Sequence, residues 1–134
     1  MRQTLRSAAF VALLSTPCFA AEPMNGAQFE AYVGGRTLSS LSGGEPYGIE
    51  AYHPGRGVTW AFVGGECQRG EWYAKGPDIC FVYEDRPGDP QCWTFQETSR
   101  GLVAQFENDP TSTELYEAED LGEEMLCYGP DVGV

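Results

Sequence analysis

The sequence predicts an all-β domain: a small antiparallel up-and-down meander or barrel of about seven or eight strands, preceded by one short N-terminal helix. Three observations carry that expectation. Short β-prone runs at residues 36–41, 47–52, 58–63, 71–75, 79–84, 92–96, 102–107 and 114–117 are separated by turn signals such as Gly43-Gly44, Pro54-Gly55, Gly76-Pro77, Pro87-Gly88 and Asn108-Asp109-Pro110. Large apolar side chains alternate within the best of these runs, so that each presents one face to a core. Four cysteines, Cys67, Cys80, Cys92 and Cys127, follow a segment that reads as a removable leader, the pattern of a disulfide-stapled domain in an oxidising compartment.

The leader occupies residues 1–20. Arg2 and Arg6 form its positive start, an apolar stretch runs from Ala8 to Leu14, and Pro17 breaks the chain before a small-residue cleavage site at Ala20. The apolar run is shorter than the roughly 20 residues a spanning helix needs, so no membrane span is expected. Cleavage there also removes Cys18, leaving an even cysteine set and a single domain over residues 21–134. The address implied is periplasmic or secreted.

The next element is the helix, over residues 25–33. Phe29, Tyr32 and Val33 fall on one face, Asn25 can cap the first turn, Gln28 completes a capping box, and Gly34 is placed to stop the helix in the left-handed conformation. So short an amphipathic helix must dock to persist.

In the strand region, Trp60 and Phe62 share a face of the third run, Ile79, Phe81 and Tyr83 a face of the fifth, and Trp93 and Phe95 a face of the sixth. Short connections favour pairing between sequential neighbours, which gives a meander curling toward a barrel. If the fifth and sixth runs form a hairpin, Cys80 and Cys92 lie equally far from residue 86 and face each other at a separation a disulfide tolerates. Cys67, read as part of a turn over residues 64–70, then remains to pin the tail at Cys127, although four cysteines allow three connectivities. No C-x-x-C spacing points to zinc, so no metal site is assigned.

Charge narrows the partners. The chain carries 8 basic and 20 acidic side chains, for a formal net charge of -12, and loss of the leader removes two of the basic ones. Such a field repels nucleic acid and anionic membrane surfaces, which leaves a cationic exported protein or a small apolar ligand as candidate partners. The acidic stretch Glu114, Glu117, Glu119, Asp120, Glu123 and Glu124 reads as a solvated face or tail.

Catalytic signals are absent from the pattern. The single histidine, His53, stands in His53-Pro54-Gly55-Arg56-Gly57, which reads as a solvated hairpin turn, and there is no nucleophile elbow, zinc-protease, phosphate-loop or EF-hand motif. No catalytic residue, cofactor or metal is therefore assigned. The ring-bearing residues Trp60, Phe62, Trp72, Phe81, Tyr83 and Trp93 are the candidates for a ligand-facing surface at a barrel mouth. Two functions follow as expectations. One is a non-catalytic binding or interaction module; the other is an inhibitor of an exported hydrolase such as a lysozyme or a protease, its acidic rim speeding encounter with a basic enzyme.

The order Gly35-Arg36-Thr37-Leu38, Gly48-Ile49-Glu50-x-Tyr52, Gly70-x-Trp72-Tyr73, Ile79-Cys80-Phe81-x-Tyr83 and Cys92-Trp93 resembles a group of small exported proteobacterial proteins of unknown function. There a helix precedes a G-[KR]-T strand, followed by G-x-W and [IL]-C-[FY]-x-[YW] strands and a second cysteine. The resemblance covers most of the chain after the leader and implies the same helix-plus-strands fold, analogous to lipocalin-like barrels. It implies no catalytic residues.

Overall fold

A computed structural model describes Ser15, residues 22–119 and Cys127. The rest of the segment read as a leader, Cys18 included, and the acidic residues from Asp120 to Glu124 lie outside the described residues. Helix α1 (Gly26–Val33) comes first, followed by β1 (Thr37–Ser42), β2 (Glu45–Tyr52), β3 (Gly57–Phe62), β4 (Gln68–Lys75), β5 (Asp78–Tyr83), β6 (Gln91–Thr98), β7 (Gly101–Phe106) and β8 (Glu114–Ala118). Every strand pairs antiparallel with its sequence neighbour, and β1 closes on β8 through Ser39↔Ala118, Ser40↔Glu117 and Leu41↔Tyr116. The sheet is a closed eight-stranded up-and-down barrel, which leaves no strand edge unpaired.

Helix α1 forms where its capping pattern predicts. The Asn25 side chain accepts from the Gln28 backbone N–H at 2.8 Å, and the Gln28 side chain accepts from the Asn25 N–H at 2.9 Å. The stop is displaced by one residue from expectation. Gly34 has φ -53 and ψ 120, while Gly35, with φ 74, takes the left-handed turn that swings the chain into β1.

The helix plugs one end of the barrel. Phe29, with no exposed surface, meets Trp72 edge-on at 5.1 Å, Tyr52 at 5.7 Å and Phe95 at 4.5 Å. Val33, Val58 and Ile79 are buried with them. Three polar contacts fasten the helix: Tyr32 donates its hydroxyl to Glu117 at 2.6 Å, Arg36 reaches the same carboxylate at 3.2 Å, and Arg56 pairs with Glu30 at 3.5 Å.

Both disulfides join the predicted partners. Cys80 and Cys92 are directly opposed in the β5–β6 ladder with Cα atoms 4.0 Å apart, on the outer face of the barrel. Cys67 is bonded to Cys127, 60 residues further on, with a Cα separation of 5.1 Å. Cys67 lies immediately before β4, because β4 starts at Gln68 rather than at 71 and takes in part of the segment read as a turn.

Candidate functional site

The end of the barrel opposite α1 holds a cavity of about 130 Å³. That volume is close to the roughly 150 Å³ of an apolar cavity that takes benzene. Strand register decides which side chains line it. In β2 the inward phase carries Gly48, Glu50 and Tyr52; in β3, Val58, Trp60 and Phe62; in β5, Ile79, Phe81 and Tyr83; in β6, Trp93 and Phe95. The remaining wall, from β1, β7 and β8, is slimmer: Leu38, Ser40, Leu102, Ala104 and Leu115. The cavity therefore has an aromatic side and an aliphatic side.

Trp60, Phe62, Phe81, Tyr83 and Trp93, all predicted ligand-facing, lie together on the cavity wall. Trp72 does not. It points inward but sits at the plugged end, buried against Phe29 with the Arg56 guanidinium 4.5 Å from its ring centroid. Alternation along a strand sorts inside from outside, whereas height along the barrel axis is set by register. His53 is also remote from the cavity: it is exposed, it precedes a one-turn 3-10 helix (Pro54–Arg56) at the plugged end, and its Nε2 lies 2.8 Å from the Thr59 hydroxyl.

Local backbone devices build the mouth. The β1–β2 register skips a residue between Ser40↔Gly48 and Leu41↔Pro46, and the extra residue, Tyr47, lines the cavity beside Trp60 and Phe62 at centroid distances of 5.8 and 5.4 Å. A bulge at a barrel rim commonly re-aims a side chain in this way. Two inward glycines make room for rings. A Cβ at Gly48 would meet Trp60 Cζ2 at 2.5 Å, and one at Gly70 would meet the Val82 carbonyl oxygen and, at 2.9 Å, Tyr83 Cδ1. Gly70, which reads as a turn residue in the sequence, is thus the seat of Tyr83 inside β4.

Two carboxyl groups also line the cavity. Glu50 is 6% exposed, and the Tyr83 hydroxyl lies 3.1 and 3.3 Å from its two oxygens. Burial pushes its pKa up to about 8, against the opposing pull of the Tyr83 hydrogen bond. Near neutral pH the group is therefore mostly a neutral carboxylic acid. Burial, reinforced by the neighbouring Glu50, likewise holds the Tyr83 and Tyr52 phenols far above their ordinary range, so both remain hydroxyls. Glu117, on β8, accepts from Tyr32, Arg36 and the Leu102 N–H, the last at 2.8 Å, and so joins the helix plug to the cavity wall.

Glu50 is not among the site residues the sequence suggests, and Glu117, read there as part of a solvated acidic face, instead lies largely buried on the cavity wall. The signal that finds them is phase: Glu50 is in step with Gly48 and Tyr52, and Glu117 with Leu115, so each is an acid on an inward-facing position of its strand. Arg86 stands at the rim, about half exposed, 3.8 Å from Asp85 and 3.9 Å from Asp89. Among the described residues, no group of three or more potential ligands is placed to hold a metal ion.

Neither the family models, nor the curated proteins, nor the solved structures contain a match to this chain. The site's chemistry therefore has to be read from its own geometry.

Proposed function

We propose that this chain is an exported, non-catalytic binding module that holds a small, largely apolar ligand in the mouth of the barrel. The observation that carries this reading is the cavity itself, opposite the packed helix and walled by Trp60, Phe62, Tyr83 and Trp93. Core packing alone does not call for it, because protein interiors close to nearly crystalline density and a void forfeits contacts along its whole lining. Rings left partly exposed around a void are in place to contact a guest. Two disulfides suit the oxidising compartment that the leader implies. Among the described residues, no helix is long and apolar enough to cross a membrane.

Native mass spectrometry of the exported form tests the proposal. A bound small molecule that is released on unfolding is expected. Protein that carries nothing, and whose tryptophan emission is unmoved by small apolar probes, would overturn it.

The loops around the mouth favour a second reading. Glu45, Glu66, Glu84, Asp85 and Asp89 are exposed there and outnumber the cations Arg69 and Arg86, an arrangement that attracts a basic surface such as that of a lysozyme or another exported hydrolase. Capture of a basic hydrolase from envelope extract, weakening as salt rises, is what this reading expects. Unchanged hydrolase activity in the presence of excess protein would eliminate it.

A further inference from the structure

We propose that the cavity's occupant is a small organic monocation: an ammonium group on an apolar body about the size of benzene, seated with its charge against Glu50. This rests on the ligand-binding reading above and names the ligand's class.

The argument starts from what a carboxyl group adds to an apolar cavity. A neutral ligand with one polar atom needs only a hydroxyl or an amide opposite it. A buried acid has the further property that it can become an anion when a cation arrives, and an unpaired buried charge is otherwise expensive. Among the described residues Glu50 has no cationic partner: its bonded neighbour there is the Tyr83 hydroxyl, and the residues directly across from it are Trp60 on β3 and Leu38 on β1.

The other titratable groups facing the deep part of the cavity are neutral or acidic. Tyr52 and Tyr83 are neutral, Tyr47 is a phenol held above its ordinary range by burial, and Glu117 brings a second carboxylate from β8, one strand beyond β1. Arg36 binds Glu117 from outside the cavity and is itself exposed. Arg86 remains at the rim between Asp85 and Asp89. Among the described residues the deep part of the cavity thus holds two acids, no cationic side chain and several aromatic faces, and aromatic faces attract ammonium ions electrostatically.

Binding is then coupled to proton release. The Glu50 carboxylic acid gives its proton to solvent, and the carboxylate formed pairs with the ligand's positive charge, so one cation enters as one proton leaves. Because Glu50 ionises only near pH 8 in the empty protein, affinity for a permanent cation rises up to about tenfold per pH unit from 6 toward 8, then levels off.

The experiment is calorimetric titration of the full exported protein with choline, its uncharged carbon isostere 3,3-dimethylbutan-1-ol, and toluene. Choline is expected to bind about tenfold or more tighter than the isostere at pH 8.5, with the buffer dependence of its heat at pH 6.5 reporting close to one proton released. In Glu50→Gln the preference for choline should vanish while toluene still binds. The proton count on the unaltered protein stands even if that variant folds poorly. Binding of the isostere or toluene with no preference for choline, or choline binding without proton release, overturns the monocation and leaves the ligand-binding reading intact. Binding of none of the three overturns both.

Discussion

Phe29 and Phe62 are the same side chain at opposite ends of one barrel. Phe29 has no exposed surface and is held by rings from β2, β4 and β6; Phe62 leaves 49% of its surface exposed, its ring meeting those of Tyr47 and Trp60 at the rim. At the plugged end the Phe29 ring packs against those of Tyr52, Trp72 and Phe95, and Glu117 and Glu30 are paired with Arg36 and Arg56. At the mouth, rings surround a void and an acid that has no counter-ion among the described residues. Stability is thus concentrated at one end, which leaves the other free to keep features that a folding core would eliminate.

The sharpest test of this division is Phe29→Ala. Removing a ring buried among other rings leaves a cavity at the plug, with an expected loss of ~3–5 kcal/mol in denaturant unfolding. A loss below about 1 kcal/mol would mean that the helix is an accessory rather than part of the core.

Glu50→Gln probes the mouth, and its effect depends on pH. The folded protein holds the Glu50 proton up to about pH 8, whereas the unfolded chain releases it near the ordinary carboxylate value. Between those two values the native state binds more protons than the unfolded one, so the parent protein loses stability as pH rises through that window. Glutamine does not titrate. The variant is therefore expected to match the parent near pH 4.5 and to exceed it by ~4 kcal/mol above pH 8, as read from paired unfolding curves. A parent whose stability relative to the variant does not fall with pH would show Glu50 to be solvated, and the contrast between the two ends would lose its main support.

How much of this division is legible in the sequence depends on which interaction writes it. The eight strands are legible because turn residues and period-two alternation act locally, and the Cys80–Cys92 pair because a hairpin fixes its own register by symmetry. The height of a side chain along the barrel is not legible. Trp72 and Trp60 both face inward, yet closure of β1 on β8 and the stagger around the ring send one to the plug and the other to the mouth. Gly70 misleads for a related reason: glycine signals a turn in isolation, and only the neighbouring β5 strand shows that the missing side chain makes room for the Val82 carbonyl and the Tyr83 ring. Tyr47 enters the cavity through a bulge that depends on the pairing of β1 with β2, which neither strand encodes alone.

Glu117 links the two ends and should show an intermediate effect. Its replacement by alanine strips the acceptor from the Tyr32 hydroxyl, the Arg36 guanidinium and the Leu102 N–H, for an expected loss of ~1–3 kcal/mol. Hydrogen exchange can separate its roles. If the carboxylate fastens the helix, amides of α1 should lose protection before those of β4 and β5; uniform loss across the barrel would assign it to the core instead.

The smallest effect on folding is expected at the mouth, and that is what makes it informative. In Phe62→Ala, about half of the ring's surface was already in water, so the loss should stay below ~1 kcal/mol in the same unfolding assay. Yet the ring is one of three that meet at the rim, with Trp60 only 5.3 Å away, and its removal takes away part of the wall that a guest would press against. Binding of toluene should therefore weaken severalfold in a protein that unfolds almost as the parent does. The opposite result, lost stability with unchanged binding, would make the mouth a second core and the void a packing defect.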